Sequence, residues 1–180
     1  MTSEDTPRPS DQLHALRAEI STSLEQAFEM MGADDTDAAA KHVLAAAATS
    51  VGHLTVTLSL LAASSASILR EAMPIDIEAG SYYAFLAVDA DTQEIADLPA
   101  PMAFASRFMT SACNLDHEQG KALLEALLNS HDSDYMLDCL LATFLQAWHI
   151  HAGHSDPTSI DLGGTTMRGL AINNDRDKDN

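Results

Sequence analysis

The sequence is poor in aromatic residues, which make up only 5% of its 180 residues. Because hydrophobic residues still reach 46%, the core must be built mainly from Ala, Leu, Met and Val. These residues suit closely packed helices better than a β-sandwich, whose strands favour aromatic and β-branched side chains. The same hydrophobic content excludes a chain that is disordered throughout. Length and composition therefore predict one soluble, helical domain with short tails.

Basic residues are also scarce. Nine Lys and Arg stand against 27 Asp and Glu, which gives a formal net charge of −18. A surface of that sign repels nucleic acids and anionic membranes, so we expect no direct binding to either. The charge has two interpretations: it keeps the protein soluble, or it imitates a nucleic-acid backbone and so blocks a DNA-binding protein.

Cysteine is nearly absent, since only Cys113 and Cys139 occur and they do not form a CxxC motif. Two thiols within apolar helical patterns indicate buried, reduced side chains in a cytoplasmic protein. The opening residues, MTSEDTPRPSDQ, contain neither a basic nor an apolar region and are not typical of a signal peptide.

Charged residues are missing from Val43 to Leu69, a stretch long enough to cross a bilayer. His53, Gly52 and many Ser and Thr residues dilute its hydrophobicity, and no aromatic belts flank it. We expect a buried helix of a soluble protein here, with a membrane span as the alternative.

Apolar residues recur at three- and four-residue steps along most of the chain and predict helices. One helix should start at Ser10 or Asp11 as N-cap and end at Gly32, and an Ala-rich helix should cover 36–70. Further helices are expected at 102–112, after an N-cap at Asp116, and from about Ser133 onward.

These patterns predict a mainly α protein, an antiparallel helical bundle with one long Ala-rich central helix. Two β alternatives remain open: LTVTLSL at 54–60 alternates as a strand does, and residues 82–98 suit a small hairpin or an irregular loop. We predict a flexible tail at 1–10, a helical domain at 11–152 and a loop-rich, partly disordered tail at 153–180.

One segment, IDLGGTTMRGLAI at 160–172, resembles the first phosphate-binding hairpin of sugar kinases in the actin-like ATPase superfamily. The resemblance implies a strand, an acidic Asp161 near metal or water, and phosphate contacts from Gly163, Gly164 and Thr165. In those kinases the hairpin opens a domain of hundreds of residues, whereas a short tail follows it here. We therefore expect a β-like arm or a flexible tail, and no kinase activity.

Three histidines, His149, His151 and His154, lie close together in WHIHAGH and are the candidate metal ligands. On a helix, His149 and His151 point about 200° apart, so only His151 and His154 would share one side. All three converge if the helix frays at Gly153. The alternative is a solvated helix C-terminus, where histidine interacts favourably with the helix dipole. No cofactor and no catalytic residue is predicted.

The sequence thus favours a non-enzymatic, acidic, helical protein-interaction module: an adaptor, assembly factor or regulator of the kind that phages and other accessory systems encode. We expect it to be cytoplasmic and to bind a protein partner or a second copy of itself. Two alternatives remain, a nucleic-acid-mimicking inhibitor of a DNA-binding protein and a metal-dependent enzyme that uses His149, His151 and His154.

Overall fold

The computed structural model describes residues 8–89, 91–92, 94–152, 157–161 and 165–173. Helix accounts for 66% of the structure, which confirms the predicted mainly helical fold class. The elements within the described residues are, in chain order, α1 Pro9–Gly32, α2 Thr36–Ala47, α3 Val51–Ala72, β1 Tyr82–Asp89, α4 Ala100–Cys113, α5 His117–Leu128, α6 Ser133–His151, β2 Ser159–Asp161 and β3 Thr165–Ile172.

Three helices, α2, α5 and α6, begin where an aspartate side chain satisfies a free backbone N–H group. Asp35, Asp116 and Asp132 each accept a hydrogen bond from the backbone N–H three residues later, at 3.2, 2.9 and 3.0 Å. The predicted cap at Asp116 is thereby confirmed. The predicted start of α1 is wrong: Arg8, not Ser10 or Asp11, is its N-cap. Pro9 follows at the first helical position, where its fixed φ suits a helix and its missing N–H would have no intrahelical partner.

The long helix predicted for 36–70 is interrupted at residues 48–50. Ser50 Oγ accepts a hydrogen bond from the His53 backbone N–H at 3.2 Å, and its own contact with His53 Nδ1 spans 2.8 Å. Ser50 therefore starts a new helix, α3, because a serine at this position competes with continuation of the preceding helix. Residues 54–60 lie within α3, so the strand alternative for this stretch is wrong.

Among the described residues, α3 is the helix that is long and apolar enough to cross a membrane, judged by length and composition alone. Its mean hydropathy reaches 1.4, and 39% of the window concerned is buried inside the protein. Core helices of soluble proteins meet the same criteria.

The chain divides into two compact units, with the boundary between Leu60 and Leu61 inside α3. In the first unit α1 packs against α2. The buried residues of these two helices are Ile20, Leu24, Ala27, Ala39, Val43 and Ala47, which recur at helical spacing. The predicted limits of one helical domain and two tails are not tested by this division and stay predictions.

In the second unit, α4 packs against α5, α6 and β1, and α6 contacts β2. The three strands form one antiparallel sheet in the order β1-β3-β2. Part of the predicted hairpin exists, since Val88 bridges to Ile95 and the Asp89 N–H donates to the Glu94 carbonyl at 2.8 Å. The main partner of β1 is nevertheless β3, which pairs with it from Tyr82↔Ile172 to Asp89↔Thr165.

Strands β2 and β3 lie in the segment that was expected to be loop-rich. The β-like arm is thus the correct alternative for 159–161 and 165–172. Periodicity alone did not decide between arm and tail, because an isolated hairpin is marginal in water and needs a packing partner elsewhere in the chain.

Candidate functional site

One face of the sheet packs on the helices, and the other face is partly open to solvent. Side chains alternate along a strand, so Tyr83 and Ala87 share a face with Met167 and Ile160, and all four are buried. The opposite side also carries Val88, which is buried, and the polar residues Thr166, Arg168 and Ser159. We call the apolar part of this side near Tyr82 the outer face; it consists of Tyr82, Ala84, Leu86, Leu170 and Ile172. Tyr82 is 49% and Leu170 39% exposed.

The outer face is apolar, whereas the solvated side of an antiparallel sheet normally carries polar side chains, as this side does further along at Thr166, Arg168 and Ser159. Leu86 and Ile172 are half-buried, and Ala84 pairs directly with Leu170 across the two strands. Arg168, the register partner of Leu86, lies at the β2 end of this face. The result is a contiguous apolar strip beside one basic side chain.

At its Tyr83 end, the edge of β1 that faces away from β3 is covered by one side chain. Asn114, the C-cap residue of α4, accepts a hydrogen bond from the Tyr83 N–H at 2.7 Å and donates one to the Tyr83 carbonyl at 2.9 Å. Its carboxamide thus takes the place of a neighbouring strand. The Tyr83 hydroxyl donates to the Met73 carbonyl at 2.6 Å, and burial raises the pKa of this phenol.

Beneath the sheet lies a buried polar cluster of Ser106, Gln146 and Met167. The Gln146 Nε2 group donates to the Met102 carbonyl and to Ser106 Oγ, both at 3.3 Å, and lies 3.5 Å from the Met167 sulfur. Ser106 Oγ lies 2.8 Å from the same carbonyl and 3.3 Å from the same sulfur. This cluster joins α4, α6 and β3, and no sequence pattern pointed to it.

The two cysteines are buried and free, as the sequence predicted. Burial raises the pKa of Cys113 to about 12 and that of Cys139 to about 11. Both therefore remain neutral thiols near pH 7, which makes them poor nucleophiles and poor metal ligands.

The structure describes two of the three candidate metal ligands. His149 and His151 are half-buried near the end of α6, and His154 lies outside the described residues. His151 Nε2 lies 3.0 Å from Ser64 Oγ on α3. The part of the chain that the structure describes contains no group of three His, Cys, Asp or Glu side chains arranged to hold a metal ion. The metal site at His149, His151 and His154 stays a prediction.

His151 should make stability depend on pH. Burial lowers the pKa of His151, because the folded state disfavours the imidazolium. The neutral imidazole therefore contributes its full share to stability above the ordinary pKa of about 6.5. That contribution is lost as pH falls through the depressed folded value. We expect the free energy of unfolding to decline on acidification from pH 7 to 5, and to decline less in His151→Gln. Urea unfolding across this range checks it, with the exposed His117→Gln as control; equal slopes in all three proteins would contradict it.

A pocket of about 400 Å³ lies between α4 and α5. Arg107 of α4 and Tyr135 of α6 supply its polar groups, and we call it the α4–α5 pocket. Its apolar walls are formed by Ala100, Ala103, Phe104, Leu123, Ala126 and Leu127.

The segment that resembles the kinase hairpin forms β2, which ends at Asp161, and β3, which begins at Thr165. Gly163 and Gly164 lie outside the described residues. The expectation that this chain is not a kinase stays a prediction.

Comparison with known proteins returns no relative. No protein-family model, no curated protein and no solved structure matches the chain. The surfaces and pocket described above are therefore the basis for a functional proposal.

Proposed function

We propose that this protein is a non-enzymatic interaction module that binds a basic protein partner through the outer face of its sheet. The observation that carries the proposal is the exposure of Tyr82 and Leu170 on a strip of otherwise apolar side chains. Contiguous apolar surface of this kind marks interaction sites, because it is costly to leave in water. The strip is part of a sheet face rather than a concave pocket, which suits a protein surface better than a small ligand.

Charge favours a basic partner over a second copy. The net charge is −18, and nearly all Asp and Glu side chains of the described residues are exposed. Most carboxylates thus keep their charge exposed to solvent. Two copies of the chain repel each other, whereas Lys and Arg around an apolar patch on a partner are attracted.

The proposal predicts that the double substitution of Tyr82→Thr and Leu170→Thr weakens partner binding about tenfold or more, because apolar burial at the interface is lost. Threonine keeps the β propensity of both positions, so the sheet should persist. The matched control is Val51→Thr, which removes an apolar side chain that is 62% exposed on α3.

The measurement is a pull-down from native lysate through a small tag without histidines, washed over a salt series, with captured proteins identified by mass spectrometry. Support requires one stoichiometric partner with a basic surface that the control captures and the double variant loses. If the protein captures other copies of itself, the outer face mediates self-association and the basic partner is not needed. Binding that fades steeply with salt and ignores both outer-face substitutions would instead favour the nucleic-acid mimic.

A further inference from the structure

The α4–α5 pocket is a second candidate site, independent of the outer face. Its volume of about 400 Å³ lies within the range of about 300–1,000 Å³ that holds small molecules. None of its lining residues belongs to the outer face, so the two sites can be altered separately.

The apolar part of the pocket arises from a contrast in side-chain size. Phe104 and Leu127 are buried at 7% and 2% exposure, whereas alanines occupy positions such as Ala103 and Ala126. Because alanine lacks the volume to fill the space between two helices, a concave surface remains above the larger side chains. Such a surface suits a flexible chain or a ring of carbon atoms.

The polar part of the pocket favours a negative group. Arg107 is exposed, and no carboxylate among the described residues lies within ion-pair distance of it. Tyr135 is a neutral phenol: burial and its contact with Cys139 raise its pKa, and these effects outweigh the opposing influence of the Arg107 charge. A cation thus lies close to an uncharged hydroxyl in the lining of an apolar space.

We propose that the α4–α5 pocket binds a small organic monocarboxylate, whose carboxylate pairs with Arg107 while its apolar body covers Phe104 and Leu127. The planar guanidinium fits a carboxylate with two parallel hydrogen bonds. The negative charge of the whole protein selects against polyanions. The acidic surface repels each additional negative charge of a ligand, and the single guanidinium of Arg107 can pair with only one carboxylate.

The test is a titration followed by amide chemical shifts, with decanoate and phenylacetate as two probes that share a carboxylate and differ in their apolar bodies. We expect saturable shifts at α4 and α5 amides for at least one probe. The probe that binds more tightly shows whether the pocket prefers a flexible chain or an aromatic ring. The alcohol of the preferred probe should bind at least about tenfold more weakly, because it lacks the charge.

Two variants separate the roles of charge and space. Arg107→Gln should weaken carboxylate binding about tenfold and leave binding of the alcohol unchanged. Ala126→Met should abolish binding of both by filling the pocket from an exposed helical position where methionine is well tolerated. Lys121→Gln and Ala122→Met on the same helix are the matched controls and should bind as the unaltered protein does.

Two outcomes overturn the proposal. One is the absence of saturable shifts at α4 and α5 for both carboxylates. The other is equal affinity of Arg107→Gln and the unaltered protein, which would show that the guanidinium does not receive the carboxylate. Because the pull-down tests the outer face and this titration tests the pocket, either site can fail without deciding the other.

Discussion

Replacing Gln146 with Glu should lower the free energy of unfolding at pH 7 by about 3 kcal/mol or more. Gln146 is 1% exposed, and its amide nitrogen faces a carbonyl, a hydroxyl and a thioether sulfur. A carboxylate there would lose these contacts and would be buried without a cation, so the folded state would hold it protonated at a raised pKa.

The pH dependence of Gln146→Glu separates this cause from simple loss of packing. Because the pKa of Glu at this position would be raised in the folded state, the variant protein keeps its stability below the ordinary glutamate pKa of about 4.3. It loses that stability as the pH rises. The deficit relative to the unaltered protein should therefore be small at pH 4 and grow toward pH 7. Chemical denaturation at both values measures it, and a deficit that is equal at pH 4 and 7 would contradict a desolvated site.

A hydrophobic replacement provides the control. Gln146 Oε1 is buried and has no donor among the described residues. Gln146→Met removes this unsatisfied oxygen together with the amide donors while keeping the length of the side chain. We expect it to be much less destabilising than Gln146→Glu, since replacing a buried polar group by an apolar one of similar shape can be nearly neutral.

Replacing Asn114 with Ala should lower the free energy of unfolding by about 2–4 kcal/mol. The substitution leaves the Tyr83 N–H and carbonyl without their partners at 2.7 and 2.9 Å, and Tyr83 is only 3% exposed. Each buried, unsatisfied group costs about 1–3 kcal/mol. Urea unfolding measures the loss, with Asn129→Ala, an exposed C-cap asparagine on α5, as the control.

The same variant should also associate more readily, because the bare edge of β1 can pair with a strand of another molecule. Light scattering at rising protein concentration detects this. An Asn114→Ala protein with the stability of the Asn129→Ala control would show that water replaces the carboxamide at no cost and that the edge is not held by this side chain.

Both predictions concern the position of the sheet, on which the proposed outer face depends. Asn114 fixes β1 at Tyr83, and the Gln146 cluster fixes β3 at Met167. A shift of either strand by one residue would turn Leu170 or Tyr82 toward the helices and bring buried positions to the surface. The apolar strip thus requires the register that these two polar contacts hold.

Prediction from the sequence succeeded where the signal is local. The cap at Asp116 follows from a side chain within one turn of the helix, and the end of α1 at Gly32 follows from the poor helix propensity of glycine. The interruption at Ser50 was missed because the apolar seam continues across it, although the serine itself was a signal for a new N-terminus. The buried thiols were predicted because Cys113 and Cys139 lie in apolar helical patterns.

The candidate sites were less accessible to prediction. Nothing near Asn114 in the sequence indicates Tyr83, 31 positions away, as its hydrogen-bond partner. Arg107 appears as an ordinary surface residue until α5 and α6 place Leu127 and Tyr135 beside it. The metal site at His149, His151 and His154 was proposed because these residues are close in the sequence, and it stays a prediction.

The sequence by itself determined a mainly helical, strongly acidic protein with reduced, buried cysteines, because helical periodicity, capping and charge are properties of short segments and of composition. Only the tertiary structure decided that β1 pairs with β3 across most of the second unit, that the outer face is apolar and that a pocket lies between α4 and α5. These features require contacts between residues far apart in the chain, and such contacts form only when packing repays the entropy of closing the intervening loop.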